Sequence, residues 1–154
     1  MKKLVSLVCL SVLTLCFPIA SLAAPIEAHA KISPLEKVDI NYYDGYHDGV
    51  LNEIIIETDT EADSGTDANI SIALYGKKYY TDPIRLNGEF ENGDKETFYL
   101  LTEKPIDGKG FGLFWEKRGW KPAWKVKSVT INDKYYKIDK WMGLEGTHDS
   151  IRRD

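Results

Sequence analysis

The chain has 154 residues, with 20 basic against 24 acidic side chains and a formal net charge of −4, a balance that argues against nucleic acid as the main partner. Both of its cysteines, Cys9 and Cys16, fall in the first apolar segment, so disulfides cannot hold the remainder together and stability has to come from a core. The length beyond that segment suits one domain.

Lys2 and Lys3 precede an apolar run from Leu4 to Ala24 that ends in small residues. This is the pattern of a secretory signal peptide, here residues 1–30, with cleavage frames after Ala23 (Ser21-Leu22-Ala23) and after Ala30 (Ala28-His29-Ala30). The run is also long enough for an uncleaved anchor, but Pro18 interrupts it and small residues rather than basic anchors follow, which favours cleavage. Leu15 and Val8 stand before the two cysteines where a lipobox needs a small residue, so a lipid anchor is not expected. Removing Lys2, Lys3 and Glu27 takes 20 basic and 24 acidic residues to 18 and 23. The expected location is secreted or periplasmic.

Residues 31–51 read as a polar lead-in carrying Tyr42, Tyr43 and Tyr46 among Asp44, His47 and Asp48, with a short edge strand over 38–42. Clustered tyrosines beside acids suit sugar or protein surfaces, and equally suit packing along a sheet edge. The β-branched run Glu53 to Thr58 predicts the first long strand. In the next, Ile70, Ile72 and Leu74 share one face and Ser71, Ala73 and Tyr75 the other, so one side is buried. Further strands are predicted over 84–86, 96–101, 110–117, 124–131 and 134–139, each separated by turn formers.

Asn132-Asp133 between two β runs predicts a tight hairpin. Trp124 and Val126 have the opposite parity to Val129 and Ile131, so a bulge near Lys127-Ser128 is needed to keep all four inside. Residues 144–154 read as a polar tail. The expected fold is all-β, a two-sheet antiparallel β-sandwich over 52–143.

The order of these features resembles the PLAT domain, the lipoxygenase-homology β-sandwich of polycystins, lipoxygenases and the clostridial alpha-toxin. The resemblance rests on Ile54-Ile55-Ile56-Glu57-Thr58, the turn Gly65-Thr66-Asp67-Ala68-Asn69-Ile70, the strand end Leu74-Tyr75-Gly76, Phe90-Glu91-Asn92-Gly93, the spaced Trp124, Val126, Val129 and Ile131, and the late Trp141. It implies that Trp124 and Trp141 are core residues. The loop Trp115-Glu116-Lys117-Arg118-Gly119-Trp120 departs from the polar set usual in the family, which puts a metal role near that loop in doubt and keeps its aromatic character.

Two constellations carry the functional expectation. Asp59, Glu61, Asp63, Asp67 and Asn69 surround one turn, and Glu89, Glu91 and Asp94 crowd another, a supply of oxygen ligands that suits Ca²⁺. By resemblance Gly65, Thr66, Asp67 and Glu91 match the family's calcium-binding loops; the alternative is that Asp67 and Asn69 only cap the turn. The second constellation is Trp120 ringed by Lys117, Arg118 and Lys121, suited to a lipid interface with anionic head groups, or else folded back to close the sandwich over Trp115 or Pro122.

No nucleophile elbow, zinc motif or phosphate loop occurs, and the run Thr147-His148-Asp149-Ser150 lists triad residue types on what reads as a flexible tail, so no catalytic residue is expected. The expected function is a binding module without catalysis and without a small-molecule cofactor other than calcium. Its partner would be a membrane lipid surface or a lipid-associated protein. The alternatives are an accessory or inhibitor of an exported enzyme, or a small hydrolase.

Overall fold

The computed structural model describes residues 35–45, 48–108 and 110–154. The expected signal peptide, with both cleavage positions, lies outside the described residues, as do Tyr46 and His47 of the lead-in. Eleven strands and no helix occur among the described residues: β1 (Glu36–Val38), β2 (Ile40–Tyr42), β3 (Val50–Thr58), β4 (Asn69–Tyr75), β5 (Tyr79–Thr81), β6 (Ile84–Arg85), β7 (Lys95–Thr102), β8 (Gly110–Glu116), β9 (Trp124–Ile131), β10 (Lys134–Met142) and β11 (His148–Arg153). One sheet runs β1-β5-β4-β8-β11 with β6 also on β4; the other runs β10-β9-β3-β7-β2.

Alternation decides which side chains fill the space between the sheets. Ile54 and Ile56 of β3, Ile70, Ile72 and Leu74 of β4, Phe111, Leu113 and Trp115 of β8, and Trp124, Val126, Val129 and Ile131 of β9 are all buried in one cluster. The parity break in β9 is resolved as expected. Glu57 faces Ser128 while the next residue, Thr58, faces Val126, so Lys127 is the extra residue of a bulge. Asn132 and Asp133 both have positive φ, +46° and +68°, the geometry of a two-residue hairpin between β9 and β10.

Three expectations need correction. The single edge strand over 38–42 is two strands in different sheets: β1 pairs with β5, in parallel, and β2 with β7. The chain changes sheet at Asp39, with Val38 in the core. The polar tail over 144–154 contains β11, which pairs antiparallel with β8 from His148–Glu116 to Arg153–Phe111 and sends Ile151 into the core. Trp141 is half-buried rather than core, because it stands opposite Lys125 on the outer face while its neighbour Met142 faces the fully buried Trp124.

The strand expected over 84–86 is β6, whereas β5 over Tyr79–Thr81 was not foreseen. Pro83 cannot donate to a ladder and stands between the two, and the Thr81 hydroxyl accepts the Leu74 N–H at 2.9 Å. Every buried side-chain nitrogen and oxygen among the described residues has a partner.

Three carboxylates make stability depend on pH in opposite senses. Glu57 is held below its usual range first by its hydrogen bond to Lys127, then by Lys95, and Asp59 first by the Glu61 backbone N–H. Each therefore contributes stability above the unfolded carboxylate range that is lost as pH falls through its lowered folded value. Glu96 is pushed up, chiefly by burial; its contribution is present below the unfolded value and lost as pH rises through the folded one. Urea midpoints taken from neutral to acid pH should rise slightly as Glu96 protonates and then fall. Glu57→Gln should flatten the fall, and an unchanged acid limb in that variant would show that the Lys127 contact contributes nothing.

Candidate functional site

The β3–β4 turn and the β8–β9 loop, 53 residues apart in sequence at Asp67 and Trp120, meet at one end of the sandwich. Asp67 joins them. Its Oδ2 accepts the backbone N–H groups of Trp120 and Lys121, both at 3.2 Å, and its own N–H donates to the Lys121 carbonyl at 3.0 Å. Gly119 sits directly on the Asp67 side chain with φ +72°; a Cβ there would lie 2.3 Å from Cβ of Asp67. Only glycine meets both demands. The neighbouring Thr66 reinforces the junction, its hydroxyl donating to the Pro122 carbonyl at 2.7 Å and accepting the Ala68 N–H at 3.1 Å.

A loop tied down in this way presents Trp120 at 97% exposure. The indole does not fold back over Trp115. That residue is itself buried, and its Nε1 donates to the Pro122 carbonyl at 2.5 Å. Lys117, Arg118 and Lys121 are all solvent-exposed beside it. The β10–β11 loop shares this end, since the Lys117 N–H donates to the Thr147 carbonyl at 2.8 Å and Gly143 packs against the Trp115 indole. It carries Leu144, 69% exposed, a second apolar tip that sequence reasoning missed. Its signal was legible, because Leu144 is the one apolar side chain in the run Gly143-Leu144-Glu145-Gly146-Thr147.

The acidic turns gather at the same end, and several of their side chains are already engaged. Asp59 and Glu61 both pair with Lys125, Asp94 accepts the Glu91 N–H at 3.0 Å, and Asp67 is spent on the Trp120 loop. Asn69 does not cap its own turn; it donates to Glu116 at 3.0 Å and accepts from Arg118 at 3.3 Å. Of the four positions matched to calcium loops, Thr66, Asp67 and Glu91 line one open concavity of 460 Å³, while Gly65 packs against the 90–92 backbone. Arg85 and Arg118 line that concavity too. Two guanidiniums beside the carboxylates oppose a divalent cation, and among the described residues no group of three or more His, Cys, Asp or Glu side chains is placed to hold a metal.

Arg85 was not singled out from sequence, although alternation in Ile84-Arg85-Leu86 already turns it outward. Tyr42 of the lead-in positions it. The phenol donates to the Arg85 carbonyl at 3.1 Å and accepts the Asn87 N–H at 2.8 Å, and burial pushes its pKa up. The tyrosines of the lead-in thus include one that fastens a sheet edge.

The Thr147-His148-Asp149-Ser150 run forms no relay. His148 Nδ1 lies 3.0 Å from the Thr147 hydroxyl, whereas the Asp149 carboxylate accepts the N–H groups of Gly143 and Ser150 and faces Lys140.

Comparison with known proteins places this geometry. The model of the PLAT/LH2 domain matches residues 53–150, beyond the expected limit at 143 and through the first residues of β11. Among solved structures, coral 8R-lipoxygenase is 26% identical with a TM-score of 0.56, over 66% of this chain and 16% of that one; its description reports calcium activation through a C2-like domain. A LOX variant in complex with arachidonate is 26% identical at TM-score 0.55, over 65% of this chain and 16% of its own. The alpha toxin from Clostridium absonum, 22% identical at TM-score 0.54 over 68% of this chain and 31% of the toxin, shares the fold. The chain spans under a third of the length of each of these relatives. With its two-sheet sandwich and a family match over residues 53–150, the chain belongs to the PLAT/LH2 domain family.

Proposed function

We propose that this protein is an exported binding module that docks on phospholipid surfaces by the end carrying Trp120 and Leu144, and that it performs no catalysis of its own. One observation carries the reading: an indole left 97% exposed on a loop that three hydrogen bonds to Asp67 hold in place. A large apolar side chain held out in water is costly unless something covers it. Transfer of an indole of about 200 Å² at ~25 cal/mol/Å² is worth up to about 5 kcal/mol. Each cation among Lys117, Arg118 and Lys121 adds about 1 kcal/mol near an anionic surface. Family membership and the likeness to lipoxygenase domains support the same reading.

The test is co-sedimentation with phospholipid vesicles, with and without calcium. Wild type should pellet, and Trp120→Ala should need about tenfold more lipid for the same recovery. Leu144→Ser should weaken binding less, in keeping with its smaller apolar area. Wild type staying in the supernatant with every lipid composition would refute docking on membranes and leave a protein partner, sought by pull-down from the native secretome.

A further inference from the structure

We infer that the concavity between Arg85 and Arg118 is a headgroup site in which the two guanidiniums receive the lipid phosphate directly, so that docking needs no metal ion. The inference rests on the docking reading above and names the ligand chemistry of that same end: a zwitterionic phospholipid headgroup, phosphocholine or phosphoethanolamine.

The residues of the concavity form two complementary sets. Arg85 and Arg118 supply planar forks of N–H donors, the geometry that grips a phosphate in a bidentate manner. Glu89 and Glu91 line the same space and meet an ammonium or quaternary ammonium group. Asp67, which also lines it, keeps its charge, but its Oδ2 is turned to the Trp120 and Lys121 N–H groups. A bare divalent cation entering here would face two guanidiniums among three carboxylates. A dipolar headgroup would face partners for both of its ends.

Position argues for a lipid source over free phosphate. Arg118 is two residues from the exposed Trp120, so a headgroup bound between the guanidiniums lies close to the apolar tip that would enter a lipid surface. The Arg118 guanidinium is held from behind by Asn69 at 3.3 Å, and the Tyr42 hydroxyl fixes the backbone that carries Arg85 at 3.1 Å.

The experiment uses the exported protein and vesicles of phosphatidylcholine and phosphatidylethanolamine, sedimented in a calcium chelator and again in added calcium, with free phosphocholine as competitor. Wild type should bind equally in both conditions. Arg118→Gln should weaken binding about tenfold in the chelator, and Arg118→Lys should weaken it too, since the charge without the fork loses the bidentate contact. Urea midpoints of both variants should match wild type, because Arg118 is exposed. Binding seen only with calcium, or Arg118→Gln binding as wild type does, would overturn the direct phosphate contact and leave docking intact. Absence of pelleting in every condition would sink docking and this inference together. Calorimetric binding of free phosphocholine that does not reduce vesicle pelleting would assign the site to a soluble ligand and overturn the lipid source.

Discussion

Trp124→Ala should destabilise the protein by about 3–5 kcal/mol, a large part of the roughly 5–15 kcal/mol that holds a domain of this size together. The indole is fully buried, meets the Phe90 ring edge-on at 5.1 Å between centroids, and donates from Nε1 to the Thr58 hydroxyl at 3.0 Å. Truncation leaves a cavity and strips a buried hydroxyl of its donor, and both costs are separate from lost transfer energy. Trp141→Ala should cost about 1 kcal/mol or less, as this indole is half in solvent opposite Lys125. Urea unfolding followed by far-ultraviolet circular dichroism measures both. Equal losses would mean that the outer-face placement of Trp141 is wrong.

Gly119→Ala should lower vesicle binding as far as Trp120→Ala does, although the indole is retained. Two effects act together. An alanine at φ +72° costs about 1–2 kcal/mol in local strain, and its Cβ would lie 2.3 Å from the Cβ of Asp67. Neither atom is the end of a flexible chain, so the loop backbone must retreat and the Trp120 and Lys121 N–H groups lose Asp67. Gly45→Ala provides the control. It has φ +83° with nothing within 4 Å of a new Cβ, so it brings strain without displacement. Vesicle titration should separate the two variants while their unfolding free energies in urea stay within about 2 kcal/mol of one another. Undiminished binding by Gly119→Ala would show that lipid contact does not depend on how the loop is held.

Most strands were legible because burial of one face writes itself into the sequence with period two. The alternation of Ile70, Ile72 and Leu74, the parity break at Lys127 and the Asn132-Asp133 turn each appear where local chemistry put them. β11 was missed because an edge strand sends little inward, and Ile151 by itself makes no pattern among His148, Asp149, Ser150, Arg152 and Arg153. Trp141 was misassigned because type and position within the family pattern say less about a side chain than the residue it stands opposite.

At the candidate site, sequence reasoning identified Asp67 and Trp120 but not their relation. A carboxylate in a turn reads equally as metal ligand, cap or solvated charge, and what decides is which N–H groups the fold carries to within 3.2 Å of it. Arg85 and Arg118 line one concavity for the same reason, since β6 and β8 both pair with β4. The sequence by itself determined most of the long strands and their inward faces, because those follow from neighbours one or two positions away. The tertiary structure alone decided the partners of the charges and the exposure of Trp120 and Leu144, because loop closure over dozens of residues sets distances that no local period encodes.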